Sequence, residues 1–560
     1  MRKILTLIIP ILFTGVTAFA KVAPQKYFVQ FTNKNGTPFT TDHPEAFLSA
    51  RSIERRMNQG IPVIDEDLPV NPTYVATVKG FGVTVLTRSK WFNGITIYAP
   101  DSTVIPNIAS LPFVLHVFKC QELIQPGQNP IDKFQIKNIS GNDMNTDQWK
   151  SANSNTSFNY GPSYTQIHML NGDVLHGLGF RGQGKQIAIL DAGFYHANSL
   201  PAFDSLYQHG QILGTKDFVN PGNNVYNEYP HGMWVLSLMG GNFPGRLIGT
   251  APQASFWLIR TEDVNSENII EEYNWDAGAE FADSAGADII NSSLGYTQFD
   301  DPTQNHTWAD LTGDKTPVTI AANTAAQKGI VVCNSAGNYA ADPWHYLGFP
   351  ADGFHVLTCA AVDSVRNWAP YSSVGWVRPG NYIKPDVASM GTLPIIALED
   401  STFNRAYSGT SFSSPLIAGM VACLWQTAPA VSNFRIYQVI QESASQYAHP
   451  DSLLGYGIPD FSKAMTLLTI PEKKSYGTEF YPNPFTDHFV LTYNSPFSQD
   501  VSLDIYDVIG ERVYQNHSIH CWAGDNRINV SGLSKLQTGC YILKFTTEIS
   551  SDSHQMIKVN

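Results

Sequence analysis

Past its first twenty residues the chain lacks any apolar run of the roughly 18 to 20 residues that a membrane span requires. The nearest later stretch, residues 415–425, has the length of a buried core helix, so a soluble mature protein is expected. Positive charge is in deficit: 35 Lys and Arg face 48 Asp and Glu, a net charge of -13. That balance argues against a nucleic-acid partner or an anionic membrane surface. Cysteine is scarce, at six in 560 residues. Cys333, Cys359 and Cys423 lie in apolar runs, where small buried thiols are expected. Cys521 and Cys540 are the pair expected to bridge. Internal repeats are absent too. A chain of 560 residues exceeds one ordinary core, which implies two to four domains.

The first segment is not part of any fold. Arg2 and Lys3 precede an apolar stretch that closes on Ala18-Phe19-Ala20, the small-x-small pattern of a signal peptidase site. Residues 1–20 are therefore expected to be removed on export, with the mature chain beginning near Lys21, in a compartment that permits disulfides.

Four regions follow. Residues 21–120 read as strand, helix, two strands, short helix, strand, a small α+β unit of βαββαβ type. Residues 121–160 turn polar, rich in Asn, Ser, Gln and Gly, and read as a linker. From 161 to 470, continuous apolar runs (QIAILD, SFWLIR, ADIINSSLG, GIVVCNSAGN, HVLTCAAVD) alternate with helical segments that start near His231, Glu267 and Thr319. Strands written as unbroken Ile, Val, Leu and Ala are buried on both faces, as parallel strands between helix layers must be. The expected fold is α/β, a doubly wound parallel sheet, whose ligands sit at the carboxyl ends of strands. After 477, short alternating runs with turn signals point to a small β-sandwich over 478–560.

Three polar residues fall where that architecture puts chemistry. Asp191 ends the run Ile187 to Leu190; His231 opens HGMWVLSLMGG; Ser411 stands in GTSFSSP, ahead of a buried helix, with Pro415 suited to its first turn. Taken singly, each has a structural explanation: a turn Asp, a helix-start His, a serine N-cap. A GxSxG elbow is absent, which disfavours an esterase or lipase.

Taken together and in order, the segments DAG, HG and GTSFSSP resemble those of the subtilisin-like serine proteases. GTAPQA (249–254), NSSLG (291–295), SAGN ending in Asn338 and KPDVASMG from Lys384 extend the similarity. The resemblance implies a serine endopeptidase in which Ser411 is the nucleophile, His231 its base and Asp191 the carboxylate that orients the imidazole. It assigns the oxyanion hole to the Asn338 amide and the Ser411 N–H. It further makes Ser293, Leu294 and Gly295 a strand that pairs with substrate, and Gly348 the floor of the specificity pocket, with room for large apolar or aromatic side chains. Ala192, Met233-Trp234 and Phe412-Ser413 depart from the family pattern beside these residues, where a lost hydrogen bond could mis-aim a catalytic group. No cofactor is required for the chemistry. Calcium is common in the family, but no ligand set matches here, so the metal is left open.

The flanking regions resemble family companions. The βαββαβ unit is similar to the subtilase propeptide, which assists folding and occupies the cleft as an inhibitor before it is cut off. The cut would fall between Cys120 and Gln166. YPNPF (481–485) and TGCYIL (538–543) are similar to the C-terminal sorting domains of type IX secretion in Bacteroidota. These resemblances imply export through the periplasm to the surface or medium, with polypeptides and the secretion machinery as partners. The rival of another class is a catalytically silent fold used for surface binding or adhesion. An intact Asp191, His231, Ser411 and Asn338 set weighs against it.

Overall fold

The structure, a computed structural model, describes residues 25–121, 133–134, 137–138, 158–378, 382–469, 478–495, 499–521, 524–547 and 551–559. The expected signal segment 1–20, most of the linker 121–160 and the junction 470–477 lie outside the described residues.

The amino-terminal unit contains β1 (Gln25–Phe31), α1 (Ala50–Asn58), α2 (Pro72–Lys79), β2 (Thr84–Ser89), β3 (Gly94–Ala99), α3 (Ile105–Ala109) and β4 (Val114–Gln121). Its sheet is antiparallel in the order β2-β3-β1-β4. Helix α2 was not legible in the sequence. Val75, Thr77 and Val78 are β-branched and weak helix formers, but Asn71 caps the first turn by accepting from Thr73 N–H, and Val75 and Val78 are buried.

The central domain is built on β5 (Gln186–Asp191), β6 (Ile212–Asp217), β7 (Ser255–Arg260), β8 (Ile289–Ser292), β9 (Val331–Ser335), β10 (Val356–Val362) and β11 (Val387–Met390), with helices α4 (His231–Gly240), α5 (Ile270–Ala285), α6 (Pro317–Gln327) and α7 (Thr410–Thr427). The seven strands are all parallel, in the order β11-β10-β9-β8-β5-β7-β6. The chain starts at β5, passes to the edge strand β6, returns to β7 between the two, then crosses to β8 on the other side of β5. Asp191 therefore ends the strand at the reversal, where open α/β sheets form their crevice. Strands β6 and β11 escaped the sequence pattern for different reasons. Strand β6 (ILGTKD) is an edge strand and is largely unburied; β11 (VASM) follows Lys384, Pro385 and Asp386 and contains Ser389, so no continuous apolar run marks it. Helix α7 is buried all round from Thr410 to Trp425, which explains its lack of a polar face. Each of its fully buried Leu, Ile, Met and Val side chains contributes about 1.5–3 kcal/mol.

After two further helices, α8 (Asn433–Ser443) and α9 (Phe461–Leu468), come β12 (Thr478–Tyr481), β13 (Phe489–Ser495), β14 (Gln499–Tyr506), β15 (Arg512–Cys521), β16 (Gly524–Val530), β17 (Gly539–Thr546) and β18 (Ser551–Lys558). They make two antiparallel sheets, β12-β13-β16 and β15-β14-β17-β18, around a shared core that includes Phe489, Leu503 and Phe545. The expected Cys521–Cys540 bridge does not form; all six cysteines are free thiols. Cys521 pairs with Gln499 at one end of β14. Cys540 lies past Ile542, which pairs with Tyr506 at the other end of β14. The two are also two strands apart, about 10 Å, beyond the roughly 7 Å that a disulfide spans.

The amino-terminal unit docks on α5. Asp283 accepts from Arg55 (2.6 Å), Arg56 (2.9 Å) and Lys90 (2.8 Å), while Glu280 accepts from Ser89 Oγ and from the N–H groups of Lys90 and Trp91. Phe28 stacks on Tyr273 at 4.2 Å. Burial alone would raise the Asp283 carboxyl, but Arg56, Lys90 and Arg55 outweigh it and hold the group well below the usual carboxylate range. A depressed value keeps its stabilisation until pH falls through that low value, so mild acid leaves this contact intact. Glu280 is instead pushed up by burial to about 7, so its burial is easiest below that pH. Removing one partner of such a cluster leaves buried charges uncompensated and costs about 3–5 kcal/mol. In a Ser411→Ala background, Asp283→Ala is therefore expected to expose residues 25–121 to limited trypsin digestion. An unchanged digestion pattern would show that the cluster does not hold the unit down.

Candidate active site

Asp191, the last residue of β5, is fully buried, and its Oδ1 accepts from Ala192 N–H at 2.7 Å. His231 is the first residue of α4. A β-carbon on Gly232 would lie 2.5 Å from the Gly193 carbonyl oxygen and 2.9 Å from Asp191 Cβ, so only glycine lets this helix start so close to the strand end. The imidazole consequently meets the carboxylate, with His231 Nδ1 2.8 Å from Asp191 Oδ1 and 3.0 Å from Oδ2. His231 Nε2 is buried with no hydrogen-bond partner among the described residues.

Ser411 is the second residue of α7, inside the helix rather than at its cap, which Gly409 occupies. Pro415, expected in the first turn, also lies inside the helix, one turn further on. Lacking an N–H, it cannot donate to the Ser411 carbonyl four residues back; Ser293 Oγ donates there instead, at 2.9 Å. In return Ser411 Oγ donates to the Ser293 carbonyl at 3.3 Å. Asn291 extends the link, donating to Ser293 Oγ (3.2 Å) and accepting from Ser414 Oγ (2.9 Å). The residues after β8 are thus tied to the start of α7, and the Ser411 hydroxyl is engaged by Ser293 rather than by His231.

The Asn338 amide is aimed by its own oxygen, which accepts from Thr410 N–H (2.9 Å) and Thr410 Oγ (3.0 Å). Thr410 Oγ accepts in turn from Gly337 N–H at 3.1 Å. With that end fixed, Asn338 Nδ2 donates to the Phe134 carbonyl at 2.9 Å. The Phe134 ring stacks on His231, with centroids 4.1 Å apart. Three residues further on, Lys137 and Asn138 pair antiparallel with Ser408 and Tyr407, just ahead of Ser411. Residues 133–134 and 137–138 are thus each held against the central domain, and Lys133, Phe134, Ser293, Gly295, Asn338 and Ser411 line one cleft.

Leu294, Gly295 and Gly348 border the same cleft or adjoin it, and the carbonyls of the first two are already engaged. Asn334 Nδ2 donates to the Leu294 carbonyl at 3.0 Å, and Tyr339 OH donates to that of Gly295 at 3.1 Å. A β-carbon on Gly348 would lie 3.1 Å from Tyr339 Cε2 and 3.2 Å from Gly295 Cα. The room left by this glycine is taken by the Tyr339 ring rather than left open. Among the departures from the family pattern, Trp234 packs edge-on to His231 (6.1 Å) and against Tyr407 (4.6 Å), and Phe412 lies 6.3 Å from His231. They wall in the imidazole with aromatic rings. No group of three or more His, Cys, Asp or Glu suited to a metal ion occurs among the described residues.

Lys133 and Phe134 could not be found by pattern, because they stand in a polar stretch with no periodicity. Thr410 was visible only as one hydroxyl among several.

Comparison with known proteins matches three family models to the chain in succession: a peptidase S8 propeptide domain of Bacteroidota over residues 26–134, the subtilase family over 182–457, and a secretion system C-terminal sorting domain over 479–559. Among similar proteins, subtilisin NAT of Bacillus subtilis subsp. natto is 27% identical over 283 residues, 50% of this chain. The chain spans 65% of that relative's length. Subtilisin of Bacillus pumilus is 26% identical over 283 residues, 50% of this chain and 90% of its own. A thermophilic serine proteinase of Bacillus sp. (strain AK1) is 29% identical over 314 residues, 55% of this chain and 67% of its own.

Proposed function

Because residues 182–457 belong to the subtilase family, behind a propeptide domain and ahead of a secretion sorting domain, we propose that the chain is the precursor of an exported serine endopeptidase whose first substrate is its own Phe134–Gln135 bond. The observation that carries this is the Phe134 carbonyl on the Asn338 amide at 2.9 Å. A donor placed on a carbonyl oxygen stabilises the charge that develops there when the carbon is attacked.

In the proposed reaction the Ser411 hydroxyl turns from the Ser293 carbonyl to His231 Nε2, the buried acceptor without a partner. Catalytic hydrogen bonds are often long or misaligned before the reacting complex forms. As Oγ attacks the carbonyl carbon, its proton passes to Nε2, and Asp191 holds the Nδ1–H and stabilises the imidazolium. Asn338 Nδ2–H and the Ser411 N–H, one of the first-turn amides that lack an intrahelical acceptor, receive the oxyanion. His231 then returns the proton to the leaving amine, and water hydrolyses the acyl-enzyme. Until it dissociates, the amino-terminal unit blocks the cleft and acts as an inhibitor. The sorting domain directs the chain to the type IX machinery after passage through the periplasm, and other polypeptides become substrates outside the cell.

Amino-terminal sequencing of the secreted protein tests this. Gln135 is the expected first residue of the primary cut, and the Ser411→Ala precursor is expected to remain joined. A first cut elsewhere, or the same cut in the Ser411→Ala protein, would overturn self-processing at this bond.

A further inference from the structure

We propose that Glu262, Glu267 and Glu271 form a specificity pocket for a lysine side chain at the second residue before the cleaved bond; this rests on the protease assignment above. The three carboxylates come from the residues after β7 and the first turn of α5, and are 1%, 4% and 1% exposed. Lys133, next to Phe134, places its ammonium among them: it hydrogen-bonds Glu271 and lies 3.5 Å from Glu262 and 3.4 Å from Glu267.

The pocket is built by the central domain. Glu271 also accepts from Asp263 N–H (2.7 Å) and Asn268 N–H (3.0 Å), and Glu262 accepts from Thr261 Oγ (3.1 Å) and Tyr296 OH. These bonds fix two of the carboxylates whether or not a lysine is present. The cation, by contrast, is carried by the segment to be cut. Cleavage after Phe134 lets Lys133 leave with the amino-terminal unit, and three buried acidic groups are left to receive the corresponding side chain of the next polypeptide. A site built around a buried charge discriminates sharply against side chains that leave it unpaired.

The pocket also gives the preference a pH dependence. Burial raises all three carboxyls against the lowering effect of Lys133, and Glu267 reaches about 8. Asp300 adds repulsion at Glu267, and Asp191 adds it at Glu262. Lys26, near Asp263 and Glu271, belongs to the amino-terminal unit. Glu267 stands at about 8 with Lys133 in place, and loss of that ammonium raises the carboxyls further. An empty pocket therefore holds protons that an entering ammonium expels, so preference for lysine should rise as pH rises from about 8 upward.

The test uses the mature protein and fluorogenic peptides cleaved after Phe, with Lys or the uncharged Met before it. The Lys peptide should show a kcat/KM about 10–100-fold higher, with the ratio growing from about pH 8 upward and falling toward one in Glu267→Gln and Glu262→Gln. Equal kcat/KM for the two cleaved peptides would overturn the pocket and leave the protease standing. Should neither be cleaved, calorimetry on mature wild-type protein with peptides ending in Lys-Phe and Met-Phe decides. Tighter binding of Lys-Phe by about tenfold or more keeps the pocket while hydrolysis fails, and equal binding overturns it.

Discussion

Ser411→Ala is expected to lower kcat by about 10⁶ and to leave the 134–135 bond intact. The magnitude was established on a subtilisin, a relative of this chain, and is not deduced from the present geometry. What this structure adds is that the substitution should be conformationally silent. Only the 3.3 Å bond from Ser411 Oγ to the Ser293 carbonyl is lost. The bond that replaces the one forfeited to Pro415 runs from Ser293 Oγ to the backbone of Ser411 and survives the change. The stability difference should stay within about 1 kcal/mol, measurable as Tm. A fluorophosphonate probe should label the mature wild-type protein alone, with casein cleavage following the label. Properly folded, mature material that takes no label would favour the silent binding protein.

Replacing Asn338 should separate catalysis from stability. Asn338→Ala removes the donor on the Phe134 carbonyl and is expected to lower kcat by about 10²–10³, a range also established on subtilisin. It additionally orphans Thr410, whose N–H and hydroxyl both end on Asn338 Oδ1, for a loss of about 1–3 kcal/mol. Asn338→Asp keeps an oxygen for Thr410 but presents a second, anionic oxygen where the oxyanion forms. Its Tm should be near that of the wild type, while its kcat falls at least as far as in the alanine variant. If Asn338→Asp retained wild-type turnover, the amide would have no place in oxyanion stabilisation.

The central sheet was largely readable because parallel strands buried on both faces must be continuously apolar, and QIAILD and SFWLIR coincide with β5 and β7. The edge strand β6 was unreadable for the converse reason: one side meets no neighbour, so its sequence is free to be polar. At the site, Asp191, His231 and Ser411 stood out by their places at the ends of apolar runs and by their order, and Asn338 by the resemblance of SAGN to a family segment. The disulfide expectation failed because pairing cysteines needs strand order, which local pattern does not contain.

What the sequence determined alone is a set of local properties: strand and helix periods, the glycine that lets α4 approach β5, and the order of the candidate site residues. Only the tertiary structure decided which partner each side chain meets. It turned Ser411 Oγ toward Ser293, aimed the Asn338 amide at Phe134 and enclosed Lys133 among Glu262, Glu267 and Glu271. Those pairings join residues up to 204 positions apart, and hydrogen bonds and ion pairs act through space over a few ångströms, a distance on which sequence separation has no bearing.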